Sequence, residues 1–453
     1  MNNGLKINTW LAALSGDLLL DQVIKGGAVS MAVRVIGTVA SLASHLVLSR
    51  FLGAREYGHY VIALGWAMVL IVPARFGLEN TTLRFATIYR EEQRSGALRA
   101  LVHTSLATIS ATSIGLAMLL LGSKLANAPF LDAVEFNLLV WVAAMVFPLA
   151  ILGWLSTLIR TVQKILASQF YEQVLRPMLL IAALALFLRI GIQLDSGTAM
   201  KLTVVCTAAA MIGLAVHTFK AFRGLLNAAY DFSEWRLWFS VSWAVLLMSV
   251  VQETSNQIEI ILLGILADAT SAAHFSAAWR LASLVSFGLV AIATVSAPLI
   301  ASAFRRGDIA EMARLAKLNA RLSFGFAISI AIFIAVFGKL LLGAFGPDFV
   351  QAYPALLILL AGGIANAFTG SAQYFLLMTG HQIAALAIMF VSLVLGIVLN
   401  GLLIPLLGLT GSAIASASCV IFWNMTMLIF VRRTLGVDAS VLAVKPKYLP
   451  DFT

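Results

Sequence analysis

The sequence predicts an all-α polytopic membrane protein, about twelve transmembrane helices in two six-helix lobes related by a parallel repeat. Three observations predict it. Of 453 residues, 61% are hydrophobic and 11% charged, which excludes a soluble globular chain. Apolar runs long enough to cross a bilayer core of ~30 Å, ~20 residues at ~1.5 Å each, follow one another from about Ala28 to Val431. And a pattern of polar residues returns 215 positions later, as from Tyr89 to Phe304.

The expected spans are 28–49, 58–78, 101–121, 137–158, 171–188, 200–219, 237–263, 273–301, 320–343, 353–378, 384–404 and 410–431. Before them, residues 1–25 carry Ile7, Trp10, Leu11, Leu14 and Leu18 on one face, with Asp17 interrupting the apolar run. That pattern predicts a short helix lying in the cytoplasmic interface rather than a cleaved signal peptide. Residues 26–222 form the first lobe, 223–236 a cytoplasmic linker, 237–433 the second lobe and 434–453 a cytoplasmic tail. Within the linker, Asp231, Glu234 and Arg236 read as a solvated interfacial segment. No segment between spans is long enough for a folded catalytic domain.

The repeat is carried by several elements at one offset. In the first span Arg34, Gly37, Thr38, Ser41, Ser44 and His45 form a narrow polar stripe at helical spacing; in the seventh, Ser249, Gln252, Glu253, Asn256 and Glu259 do the same. His59-Tyr60 then meets His274-Phe275, Ala63 meets Ala278, Tyr89-Arg90 meets Phe304-Arg305, and Arg99 meets Arg314. A shared offset over a helix, a turn, a second helix and a basic loop indicates internal duplication, and parallel repeats of this kind are common in transporters.

A net charge of +10 could mark a nucleic-acid partner, so the position of the basic residues matters more than their number. With both termini cytoplasmic, 21 of the 30 Lys and Arg residues fall on the inner side, Arg84, Arg90, Arg94, Arg99, Arg176, Arg223 and Arg314 among them. Six fall outside, and Arg34, Arg75 and Arg280 lie within spans. The charge is therefore topological, and no nucleic-acid partner is expected. Two cysteines, Cys206 and Cys419, each within a span, give neither a disulfide framework nor a metal site.

The turn Leu52-Gly53 to Gly58-His59-Tyr60, the basic loop Arg84 to Gly96, the segment Gly346 to Pro354 and the turn Gly408 to Ala413 together resemble the polysaccharide-biosynthesis flippases of the multidrug/oligosaccharidyl-lipid/polysaccharide exporter superfamily. The resemblance covers essentially the whole span region. It implies two six-helix lobes around a central cavity in the bacterial inner membrane. It also implies the movement of undecaprenyl-pyrophosphate-linked oligosaccharide, a precursor of O-antigen or exopolysaccharide, from the inner to the outer leaflet by alternating access. Glycosyltransferases and a polysaccharide polymerase would be its partners, with membrane lipid around it.

A substrate of that kind needs cations for its pyrophosphate and hydrogen-bonding groups for its sugars. Arg34 and Arg280 are the first cationic candidates, because an Arg within a span costs ~2.5–3.5 kcal/mol on insertion scales and usually faces a cavity or a partner. Their forked guanidinium suits phosphate oxygens. The plainer alternatives are snorkelling, above all for Arg75 near the inner end of its span, and an internal pair with Glu253 or Glu259. Ser41, Gln252 and Asn256 complete the candidate substrate cavity. Glu253 and Glu259 are candidates for ion coupling, since a carboxylate within a span is paired, protonated or ion-binding. Against these stands a structural, hydrogen-bonded Glu253. Trp279, beside Arg280, could stack on a sugar ring, though most Trp residues in spans are packing or interface anchors. No cofactor is expected beyond a coupling proton or Na+, and His45 and His59 lack metal-ligand spacing. The competing functions are a drug or organic-cation antiporter of the same superfamily and, from another class, a lipid-linked sugar polymerase or ligase. The second expects a large outer loop, and the outer loops here are short.

Overall fold

The computed structural model describes residues 18–126, 135–191, 194–225 and 228–443, with side chains from residue 29 onward except at 294, 295 and 298. Most of the expected interfacial helix and the end of the expected tail lie outside them. The described residues are overwhelmingly helical. Thirteen α-helices run in the order α1 Leu18–Arg75, α2 Leu78–Glu91, α3 Ser95–Leu125, α4 Phe136–Arg160, α5 Ile165–Ile190, α6 Ser196–Ala221, α7 Trp235–Leu266, α8 Ala269–Ser283, α9 Phe287–Arg305, α10 Ile309–Gly343, α11 Tyr353–Phe368, α12 Ala372–Met378 and α13 Gln382–Leu435.

Ten helical segments among the described residues are long and apolar enough to cross a membrane. α1 and α13, at 58 and 54 residues, are more than twice the ~20 that a crossing needs. Each is broken at a glycine that leaves helical geometry: Gly53 at φ 72°, ψ 171° and Gly408 at φ 54°, ψ −130°. Residues with a Cβ rarely adopt those angles, so the glycines that the sequence places in turns are where the long helices reverse.

α4 is the most deeply buried of these helices and the scaffold of the first half, packed against α1, α3 and α6. Hydrocarbon offers no water, so its polar groups find partners inside the bundle. Trp154 Nε1 donates to Thr82 Oγ1 at 3.0 Å, and Ser156 Oγ lies 2.7 Å from both Ser168 Oγ and Glu172 Oε2.

At the Gly53 end, α1 is fastened to the second half of the chain. Ser49 Oγ donates to Phe345 O at 2.9 Å and Arg50 Nε to Ala344 O at 2.8 Å. The Tyr57 and His274 rings both meet Phe349 edge-on, at 5.9 and 5.2 Å between centroids. Gly58 makes this closeness possible, because a Cβ there would stand 1.8 Å from Ala269 O.

At the other end, the end of α2, the loop after it and the start of α3 grip the linker and the start of α7. Glu234 accepts from the Tyr89 hydroxyl and pairs with Arg94 at 2.8 Å, Trp238 Nε1 donates to Tyr89 Oη at 2.8 Å, and the Arg99 guanidinium lies over the Tyr230 ring at 4.3 Å. Glu234 is thus a half-buried clasp rather than a solvated linker residue. The Tyr89 hydroxyl first, and then Arg94, hold its carboxyl below the usual range. A depressed carboxyl stabilises the fold above its unfolded value of 4.5 and loses that contribution as pH falls through the lower folded value. Amide exchange over residues 228–240 is therefore expected to quicken as the pH is lowered stepwise below 4.5, beyond the intrinsic pH effect. Glu234→Gln should flatten that dependence; an unchanged profile would detach the clasp from Glu234 ionisation.

Candidate functional site

Three chambers share walls: two of 420 and 440 Å³ lie between the two halves of the chain, and a third of 390 Å³ lies within the second half. Val72, Arg75 and Glu253 line both the first and the second, Trp279 and Ser283 the first and the third, and Gln252 the second and the third. Each is of the size that small-molecule sites have, ~300–1,000 Å³.

The first chamber carries the cations. Arg75 from α1, Arg176 from α5 and Arg280 from α8 line it together with Glu172, Glu253, Gly37, Thr38 and Ser41. Arg75 does not snorkel. Its Nη1 pairs with Glu79 at 3.0 Å and its Nη2 donates to Leu149 O at 3.1 Å. Gly153 makes room for it, since a Cβ there would lie 2.2 Å from Nη2. Arg280 Nε is buried and has no hydrogen-bond partner among the described residues. A buried guanidinium N–H left unpaired costs free energy that a bound acceptor would recover. Glu172 is held by Ser156, and Glu253 Oε1 accepts from Gln257 Nε2 at 3.0 Å.

Arg176 corrects the sequence reading, which counted it among the cytoplasmic residues at the head of the fifth span. α5 already begins at Ile165, so Arg176 lies well inside the helix and faces the cavity. It follows a π-helical turn, Phe170–Leu175, and precedes Pro177. Such turns are frequent at functional sites, and this one presents Glu172 and Arg176 four residues apart towards the same chamber. Gly37 permits α1 to press against the turn, its Cβ position being 2.8 Å from Gln173 Cβ.

The second chamber is lined by Arg75, Glu79, Asn80, Ser249, Gln252 and Glu253, with α12 and α13 opposite. The third is built by α7, α8, α11 and α13. Asn256, Glu259, Asn366, Ser416, Trp279 and Trp423 line it, and Glu259 is the one Asp, Glu, Lys, Arg or His among the described residues there. Thus Arg75, Arg280, Ser41 and Glu253 come together in the first chamber, and Gln252, Asn256 and Glu259 in the third. Arg34 stands apart from all three, exposed on α1, with its carbonyl accepting from Thr38 Oγ1 at 2.9 Å. Periodicity missed Arg176, Glu172, Asn366 and Trp423. The i,i+4 acid and base next to Pro177 was the one local signal for the first two.

The polysaccharide biosynthesis protein family model matches residues 23–304, and the MatE family model matches residues 244–402. No curated relative matches. Among solved structures, an inward-facing multidrug resistance MATE family transporter of the MOP superfamily superposes with a TM-score of 0.72 at 15% identity, over 90% of this chain and 98% of that one. The lipid II flippase MurJ, in an inward closed conformation, gives 0.66 at 13% identity over 89% and 87%. A MOP superfamily transporter from Pyrococcus furiosus, described as having a binding pocket of reversed polarity, gives 0.59 at 16% identity over 91% and 95%.

Proposed function

The chain belongs to the polysaccharide biosynthesis protein family, and from that premise we propose that it flips undecaprenyl-pyrophosphate-linked oligosaccharide across the bacterial inner membrane. It is a multi-pass transporter, not an enzyme, with the fold shared by MATE transporters and MurJ. The observation that carries the finer reading is the first chamber. Arg280, whose buried Nε has no partner among the described residues, stands with Arg75 and Arg176 around a space open to a diphosphate, whose oxygens match guanidinium forks. Two lobes, 26–222 and 237–433, would rock about this cavity. The seam from Ser49 to Gly58 would then be the closed outer gate, with both termini cytoplasmic.

A second reading, an organic-cation antiporter, is favoured by Glu253 and Glu259 in the cavity and by the MatE match. Purified protein in liposomes separates the two. A fluorescent lipid-linked oligosaccharide should become accessible to an impermeant quencher with the protein present, while efflux of a permanently charged organic cation should match empty vesicles. The reverse result would establish the antiporter.

Glu253 and Glu259 remain the proposed coupling acids. Only a group that binds its ion differently in the two states can drive the change between them. Glu253→Gln keeps a hydrogen-bond acceptor for Gln257, so it should insert normally and lose the dependence of flipping on a proton or Na+ gradient. Full retention of that dependence would leave Glu253 a structural residue.

A further inference from the structure

We infer that the third chamber is a saccharide subsite and that selection among sugars resides there, in the second half of the chain. This rests on the reading that a lipid diphosphate occupies the first chamber. The cavity segregates its chemistry by wall. Arg75, Arg176 and Arg280 line the first chamber, whereas among the described residues the 390 Å³ third chamber is lined by a single acid, Glu259, beside amides, hydroxyls and two indoles. That set matches a neutral polyhydroxylated ring: amides and hydroxyls pair with sugar hydroxyls in both directions, and indole faces cover the apolar C–H faces of the ring.

The lining serines Ser255 and Ser283 are tied to backbone carbonyls at 2.8 Å, but the amide side chains of the chamber are held only loosely. Gln252 Nε2 donates to Asn256 Oδ1 at 3.4 Å and Asn366 Nδ2 to Ser286 Oγ at 3.3 Å, both at the long end of the range. Ligand hydroxyls can replace such contacts at little cost, because a site loses affinity only for bonds the ligand fails to reproduce. Trp279 and Ser283 border both the first and the third chamber, so a sugar attached to a diphosphate held at Arg280 enters the third chamber directly past them. The occupant is thus a saccharide still joined to its phosphate, read at two places by two different chemistries.

The test uses the purified full-length protein and two kinds of probe: geranyl diphosphate, and geranyl diphosphate carrying a hexose, an N-acetylhexosamine or a deoxyhexose. The wild type should bind at least one glycosylated probe about ten-fold more tightly than geranyl diphosphate. Trp423→Ala and Asn366→Ala should remove that increment and keep the affinity for geranyl diphosphate, which also reports that they are folded. Trp423→Phe, which retains an aromatic face, should keep most of it. Arg280→Ala should weaken every probe alike. A wild type that gains nothing from any sugar, or chamber variants that weaken both kinds of probe equally, would overturn the subsite. A wild type that binds neither kind of probe would overturn the flippase reading on which it rests.

Discussion

Arg280→Ala is expected to reduce flipping of a lipid-linked oligosaccharide by about 10- to 150-fold while the protein still folds and inserts. The range follows from one hydrogen bond to a charged group, about 1.5–3 kcal/mol, lost from the bound diphosphate. Insertion should not suffer, because the buried Nε has no partner among the described residues, so truncation breaks no hydrogen bond there. Arg280→Lys keeps the charge but not the fork, and should recover part of the loss. Arg75→Ala should behave differently. It strands Glu79 and frees Leu149 O, so protein level and thermal stability should fall along with transport. The comparison is made in vesicles at matched protein content. Normal flipping by Arg280→Ala would remove this residue from the binding site.

The second large effect is expected at Gly58. An alanine there would place a methyl 1.8 Å from Ala269 O, where ordinary contact begins at 3.4 Å, and the obstructing atom is backbone at the start of α8. The seam must part, at a cost of roughly 1–3 kcal/mol, occasionally more. Ser49, 1% exposed and bonded to Phe345 O, reports it. A Ser49→Cys thiol should be shielded from an impermeant maleimide in the parent and labelled readily once Gly58→Ala is added. Gly53→Ala is the control. Its Cβ would meet nothing within 4 Å among the described residues, and the change should cost only its strained backbone, about 1–3 kcal/mol, with the seam still closed. Equal labelling of the two double variants would mean that Gly58 does not hold the seam together.

Taken by itself, the sequence determined the class of molecule, the order of its apolar segments and the stripes on α1 and α7. Hydropathy and the 3.6-residue period are local properties, readable without knowing what packs against what. It also placed Gly53 and Gly408 in turns, because a sharp reversal of a long apolar helix needs angles that glycine supplies. What it left open was direction. Arg34, Arg75, Arg176 and Arg280 are chemically the same residue at or near the ends of apolar runs. Whether such a cation meets water, an acid or a cavity depends on helices up to two hundred positions away. Arg75 finds Leu149 and Glu79, Arg280 and Arg176 line one chamber, and Arg34 is left exposed. The third chamber was illegible for the same reason. Asn256, Asn366 and Trp423 come from α7, α11 and α13, and only the crossing of those helices makes three scattered polar residues one wall.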